Sequence, residues 1–187
     1  MNELLRLHHL LPSSRANGPG NRAVLWVQGC SLGCPGCFNP HTHAFTGGEL
    51  VSVAELSQRL ISLESRIEGI TISGGEPFQQ RLPLLALLRR IRQETHLSVL
   101  LLSGFTWSEI QQMPDAEGLL AQVDVLLAGR YDAAQHLARD LRGSANKTMH
   151  FLTDRYTPAD LAAVPPAEVV ITPKGELLLS GIEPLQW

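Results

Sequence analysis

The chain has little cysteine: only Cys30, Cys34 and Cys37 in 187 residues, all in one loop. An odd number of thiols gathered in one place excludes the disulfide framework of a small secreted scaffold, which spreads an even number along its length. Excess positive charge is missing too, since 15 Lys and Arg stand against 18 Asp and Glu. Nucleic-acid binding is thereby disfavoured, because phosphate backbones are met by basic patches. Arg89, Arg90 and Arg92 gather on one expected helix, where a solvated face accounts for them. The opening apolar run is short and broken by Arg6, His8 and His9, which excludes a signal peptide or membrane span there. Repeats, linkers and low-complexity tracts are absent as well. With 44% hydrophobic and 18% charged residues, the sequence reads as a single cytoplasmic domain over residues 1–187, with neither nucleic acid nor membrane as partner.

What is there alternates. "RAVLWV", Arg22 to Val27, reads as the first clear strand, and the cysteine loop follows it directly. Ser52 and Glu55 have capping-box spacing ahead of Leu56, Leu60 and Leu63, so a helix begins near Val53. A strand at Ile70 to Ser73 ends in "GGEP", and the pattern repeats: the helix "RLPLLALLRRIRQE", a strand from Leu97, short helices across Trp107 to Ala121, and a strand from Val123. Another strand is expected near Met149 to Leu152 and a short helix at Thr157 to Asp160. "EVVITPKGELLLSG" reads as a C-terminal β-hairpin turning at Pro173 to Gly175 and covering one sheet edge. The expected architecture is α/β, a mainly parallel sheet of about five or six strands with functional loops at the carboxyl ends of the strands. The cysteine loop and "GGEP" would then face one mouth.

The cysteine spacing is C-x3-C-x2-C. Three thiolates from one tight loop can hold three irons of a [4Fe-4S] cubane and leave the fourth open to a small ligand, by the logic that separates catalytic from structural zinc sites. Gly29, Gly33 and Gly36 let the backbone wrap such a group. The competing reading is a Cys3His zinc site completed by His41 or His43, although no second metal knuckle is present.

These motifs resemble the radical S-adenosylmethionine (SAM) superfamily. More narrowly, "NGPGNRAVLWVQGCSLGCPGCFNP", "ITISGGEPFQQ", "LLSGFTWSEI", "VDVLLAGRY" and "LRGSANK" occur in the order seen in activating enzymes of anaerobic ribonucleotide reductase, from about Asn17 to about Phe151. The resemblance implies a partial (β/α) barrel with a core over about residues 17–152 and a C-terminal extension over 153–187. It implies Cys30, Cys34 and Cys37 as cluster ligands. It also implies SAM against Gly74 and Gly75, with Glu76 as the acidic partner of the methionyl ammonium and Pro77 stiffening the turn. Ser103, with Gly104, is a candidate for the SAM ribose, and Arg130 for its carboxylate. Phe38 and Trp26 are packing residues, Asn17 to Gly20 shape the entry of the chain, and Arg142, Ser144 and Asn146 belong to a loop near the mouth.

The chain departs from the family pattern where the fourth strand commonly ends V-D-G: Ala128 stands in the place of the acid. The leading functional expectation is an oxygen-sensitive enzyme whose cluster cleaves SAM to a 5′-deoxyadenosyl radical. That radical abstracts hydrogen from a glycine of a glycyl-radical enzyme, with a flavodoxin- or ferredoxin-like reductant. A short barrel with an open side suits a macromolecular substrate. Two alternatives are a single-cluster enzyme acting on a peptide or small metabolite, and a non-enzymatic iron–sulfur electron carrier.

Overall fold

The computed structural model describes residues 3–171 and 175–182. Strands β1 (Leu4–Ser14), β2 (Arg22–Val27), β3 (Glu49–Ser52), β4 (Gly69–Gly74), β5 (Ser98–Leu102), β6 (Val125–Ala128) and β9 (Thr148–Phe151) form one seven-stranded sheet in the order β3-β1-β2-β4-β5-β6-β9. The four middle strands, β2, β4, β5 and β6, run parallel. At one end β1 and β3 run antiparallel to their neighbours, and at the other β9 runs antiparallel to β6. The fold is therefore mixed α/β around a mostly parallel centre. The two edge strands, β3 and β9, are not joined to each other.

Helices α1 (Val53–Ile61), α2 (Arg81–Glu94), α3 (Trp107–Gln111), α4 (Ala116–Leu120) and α5 (Pro158–Ala162) complete the regular framework. Two of these helices are capped by their own sequence. Ser52 accepts a bond from Glu55 N at 3.1 Å to start α1, and Glu109 reaches back to Thr106 N at 2.7 Å to start α3. Helix α2 lays Leu84, Leu87, Leu88 and Ile91 on one face at helical spacing, all fully buried against the sheet. Period-two alternation divides β5 and β6 between the two faces. Val99, Leu101 and Leu126 pack toward the helices, while Leu100, Val125 and Leu127 join Leu141 and Leu161 on the other side.

That other face is closed at its lower end by Arg22, which is wholly buried. Its guanidinium donates to Thr71 Oγ1 at 2.8 Å, Ser98 Oγ at 2.9 Å and Ile70 O at 2.7 Å, with Tyr156 OH at 3.2 Å. A buried cation survives there because its donors meet neutral oxygens. The open end is left at the carboxyl ends of the parallel strands.

Several expectations change. Strand β1 was not anticipated, and with β3 it brings the sheet to seven strands in place of five or six. Its residues alternate irregularly because β1 bulges against β2 between Leu7 and His9 and between Leu11 and Ser14, which breaks the period-two signal. The "LRGSANK" segment holds a short strand β8 (Arg142–Ser144), paired with β7 (His136–Arg139). The C-terminal strands β10 (Ala167–Ile171) and β11 (Leu177–Gly181) pair antiparallel with each other as a separate two-stranded ribbon and add no strand to the large sheet. The turn expected at Pro173 to Gly175 lies, but for Gly175, outside the described residues.

Candidate functional site

Two glycine-bearing turns meet at the open end of the sheet. The first leaves β2 at Gln28, whose buried side chain donates to Ala44 O at 2.7 Å and His41 O at 3.3 Å. With Gly29 N bonded to Thr42 O at 2.7 Å and Cys30 N to His43 O at 3.0 Å, the cysteine loop is folded back on its own stem. The second turn leaves β4. Gly75 N donates to Val27 O at 2.8 Å and Glu76 N to Gly29 O at 2.9 Å, so the "GGEP" backbone is stitched to the root of the cysteine loop. The approach is so close that a Cβ on Gly75 would stand 2.3 Å from Gly29 O.

Glu76 then joins this pair to the turn after β5. Its carboxylate is fully buried and accepts from Gly104 N at 2.8 Å, Ser103 Oγ at 2.9 Å and Phe78 N at 3.0 Å. Burial raises its pKa, and these three donors pull it partly back. Gln79 and Gln80 add ties that the sequence did not advertise: Gln79 accepts from Ser31 N at 3.2 Å, and Gln80 donates to Gln28 O at 3.0 Å.

Between these turns and the end of β6 lies one cavity, whose empty space, open mouth included, is about 970 Å³. Cys30, Cys34 and Cys37 line it, all half-buried and none in a disulfide. Gly74, Gly75, Glu76, Ser103 and Gly104 line it with them. Pro77 is buried at the start of the short turn behind and is not part of the lining. Burial also raises the pKa of the Cys30 thiol. Phe38 reaches the cavity and packs its ring 4.5 Å from that of Tyr131, and Trp26 lines the floor.

Arg130 is placed differently. Its guanidinium lies outside the lining, paired with Glu109, bonded to Gly104 O at 3.1 Å and 5.2 Å over the Phe105 ring. The hydrogen bond from Arg130 lowers the Glu109 pKa to about 2. Lys147, which sequence reasoning passed over, faces the cavity instead and anchors its ammonium on Gly129 O. Burial lowers its pKa, while Cys34, Glu76 and Cys37 nearby raise it. Local sequence carries no sign of this. Lys147 reaches the mouth only because β9 returns antiparallel, with Thr148 opposite Ala128.

Ala128 itself is 1% exposed and packs in the helix-side core, so its side chain points away from the cavity. Within the "RGS-x-N" segment, Ser144 accepts from Asp132 N at 3.2 Å and Asn146 donates to Arg130 O at 2.9 Å. Both therefore shape the loop. Arg142 pairs with Asp140 at 3.1 Å.

The donor set fits an iron–sulfur cluster held by three thiolates. The three thiols line one open cavity, and Gly74 and Gly75 beside them present backbone to it in place of side chains. Among the described residues, no three of His, Cys, Asp and Glu converge as a site for one metal ion.

Comparison with known proteins agrees with this geometry. The 4Fe-4S single cluster domain family matches residues 16–150. An anaerobic ribonucleoside-triphosphate reductase-activating protein of Vibrio cholerae is 31% identical over 80% of this chain and 99% of its own length. Proteins of the same name from enterobacteria phage T4 and Escherichia coli K12 are each 32% identical, over 78% and 79% of this chain and 93% and 99% of theirs. The chain belongs to this family of activating proteins. It is accordingly a radical SAM enzyme of the activating type, with a [4Fe-4S] cluster and SAM as its cofactors. The solved structure of QueE from Escherichia coli aligns over 57% of this chain and 52% of that one, at 21% identity and a TM-score of 0.38. No helix among the described residues is long and apolar enough to cross a membrane.

Proposed function

We propose that residues 1–187 form one cytoplasmic domain, a partial barrel, that activates an anaerobic ribonucleoside-triphosphate reductase by installing its glycyl radical. The observation that carries this reading is the shared cavity: three thiols, a glycine-floored turn and one lysine gathered at the carboxyl ends of parallel strands. When bound, the cluster would supply the low-potential electron for reductive cleavage of SAM, the chemistry that would allow a hydrogen atom to be taken from the partner's glycine. A flavodoxin- or ferredoxin-like protein would deliver that electron.

The residues have separable tasks. Cys30, Cys34 and Cys37 would hold the cluster, and with three protein thiolates it would stay open to SAM. Gly74 and Gly75 let the ligand reach backbone carbonyls. Glu76 is the acidic group of this wall, and through its bonds to Ser103 and Gly104 it fixes the turn that would meet the ribose. Pro77 stiffens the turn after β4 that carries Glu76. Arg130 acts at one remove, holding Gly104 O and Glu109. Lys147 takes the role expected of Arg130, offering an ammonium to the SAM carboxylate inside the cavity. Trp26 and Phe38 add apolar surface beside the reacting centre.

The test is anaerobic incubation with reductant, SAM and the reductase of the same genome. 5′-Deoxyadenosine and a glycyl-radical signal by electron paramagnetic resonance are expected. SAM cleavage without any glycyl radical would turn the reading toward a peptide or small-molecule substrate, and no cleavage at all toward an electron carrier.

A further inference from the structure

The β10–β11 ribbon has one face that the other described residues leave bare. Val169 pairs with Leu179 and Ile171 with Leu177 across the two strands, and all four side chains point outward. They are 43%, 46%, 69% and 59% exposed in that order. The opposite face is the anchored one. Glu168 accepts from Arg15 N at 2.9 Å, and Ser180 Oγ accepts from Asn17 Nδ2 at 2.6 Å, while Val170 and Leu178 are half-buried. A solvated ribbon face ordinarily carries charged or polar residues; two stacked aliphatic pairs there mark a surface meant to be covered. Glu168 is the one charged residue in either strand, and it faces inward.

The ribbon's position says what covers it. It stands at the cavity: Gly181 and Ile182 at its end line the same space as the three cysteines, together with Asn17, which holds the ribbon in place. One end of the ribbon thus borders the mouth, and its bare face extends away from it. The ribbon also lies outside residues 16–150, the part matched by the cluster-domain family, and is thus an addition to the catalytic core. Four half-exposed aliphatic side chains fall well short of the ~800 Å² per partner of a stable interface. That size suits an enzyme's passing encounter with a protein substrate better than a lasting dimer of this chain.

We infer that the outward face formed by Val169, Ile171, Leu177 and Leu179 docks the glycyl-radical reductase, contacting an apolar strip beside the segment that carries the reacting glycine. This rests on the activating function proposed above. The ribbon supplies affinity and orientation, and the cavity supplies chemistry.

The test uses the full chain, reconstituted anaerobically, in a double variant Ile171→Thr, Leu177→Thr. Threonine keeps the strand preference while removing the apolar face. Leu82→Thr, an exposed leucine on α2, is the control. The double variant should bind the reductase at least about tenfold more weakly, as expected for loss of an interface anchor. SAM cleavage in the absence of reductase should stay at the wild-type rate, and the control should bind normally. Independently, hydrogen exchange of the wild type should slow across β10 and β11 when the reductase is added. Unchanged affinity of the double variant, or no protection of the ribbon, overturns the inference while leaving the activating function standing. Concentration-dependent self-association of the wild type that the double variant loses also overturns it, by assigning the face to a second copy. Failure of the wild type to bind and activate the reductase overturns the activating function itself, and the inference with it.

Discussion

The cavity's two walls are built differently. The wall made by the turns after β2, β4 and β5 is a lattice: Gly75 and Glu76 bond the root of the cysteine loop through backbone, and the Glu76 carboxylate fastens the third turn. The wall after β6 is looser. Beside backbone ties such as Gly129 N to Phe105 O at 2.8 Å and Ala145 N to Gln135 O at 2.7 Å, it relies on long side chains reaching single carbonyls, Asn146 to Arg130 and Lys147 to Gly129. It also carries Ala138, Asp140 and Leu141 at positive φ, and the buried Asp140 Oδ1 and Arg142 Nε lack partners. The first wall is made for invariant chemistry around a cluster. The second is less tightly organised and, apart from Lys147, is set back from that chemistry.

Substitutions in the first wall should therefore break the protein or its cluster, and those in the second should tune binding. Cys34→Ala should have the largest effect, abolishing SAM cleavage and lowering bound iron, read by iron and sulfide counting after anaerobic reconstitution. Gly75→Ala comes next, because its Cβ would collide with Gly29 O at 2.3 Å. A destabilisation of about 3 kcal/mol is expected by denaturant titration, with the two turns driven apart.

Glu76→Gln should cost about 2 kcal/mol, since one amide oxygen must serve three donors and its NH2 group faces at least one of them. This variant also carries a pH signature. Burial raises the carboxyl's pKa in the native state, so the native chain keeps that proton to higher pH than the unfolded chain does. Its contribution to stability is full below the ordinary carboxylate range and falls as pH rises through the raised native value. Urea titrations across that range should show a shallower fall in Glu76→Gln.

In the second wall, Lys147→Met should leave thermal stability nearly unchanged and weaken SAM binding about tenfold, the loss of one charge-assisted contact. Equal affinity in that variant would remove the contrast between the walls. The smallest effect is expected at Glu109→Gln. Its pKa of about 2 means that pairing with Arg130 stabilises the native state above the ordinary carboxylate range and is lost as pH falls toward that value. The pair is exposed, so the difference at neutral pH should stay under about 1 kcal/mol by urea unfolding.

The same contrast governs what could be read from the sequence. Helix α2 was legible to its ends because "RLPLLALLRRIRQE" carries its own periodicity, and α1 because Ser52 and Glu55 cap it. The three cysteines and "GGEP" were legible because their spacing is local. Strand β1 was not, since its bulges scramble the alternation. Lys147 was invisible for a topological reason: nothing near it in sequence says that β9 runs antiparallel to β6 and returns it to the mouth. Arg130 looked better placed by sequence, following the fourth parallel strand directly. The fold turns it aside to Glu109 and Phe105. Concern over Ala128 eases for a similar reason, because its side chain belongs to the helix-side core.

The central claim is that three protein thiolates leave one iron of a cubane to be capped by SAM. Electron paramagnetic resonance of the anaerobically reconstituted, reduced chain, recorded before and after SAM is added, tests it most directly. The account predicts a [4Fe-4S] signal, as in the matched cluster family, whose g values shift when SAM binds and do not shift with methionine-free adenosine. A signal indifferent to SAM, or a chain that binds zinc in place of iron, would contradict it.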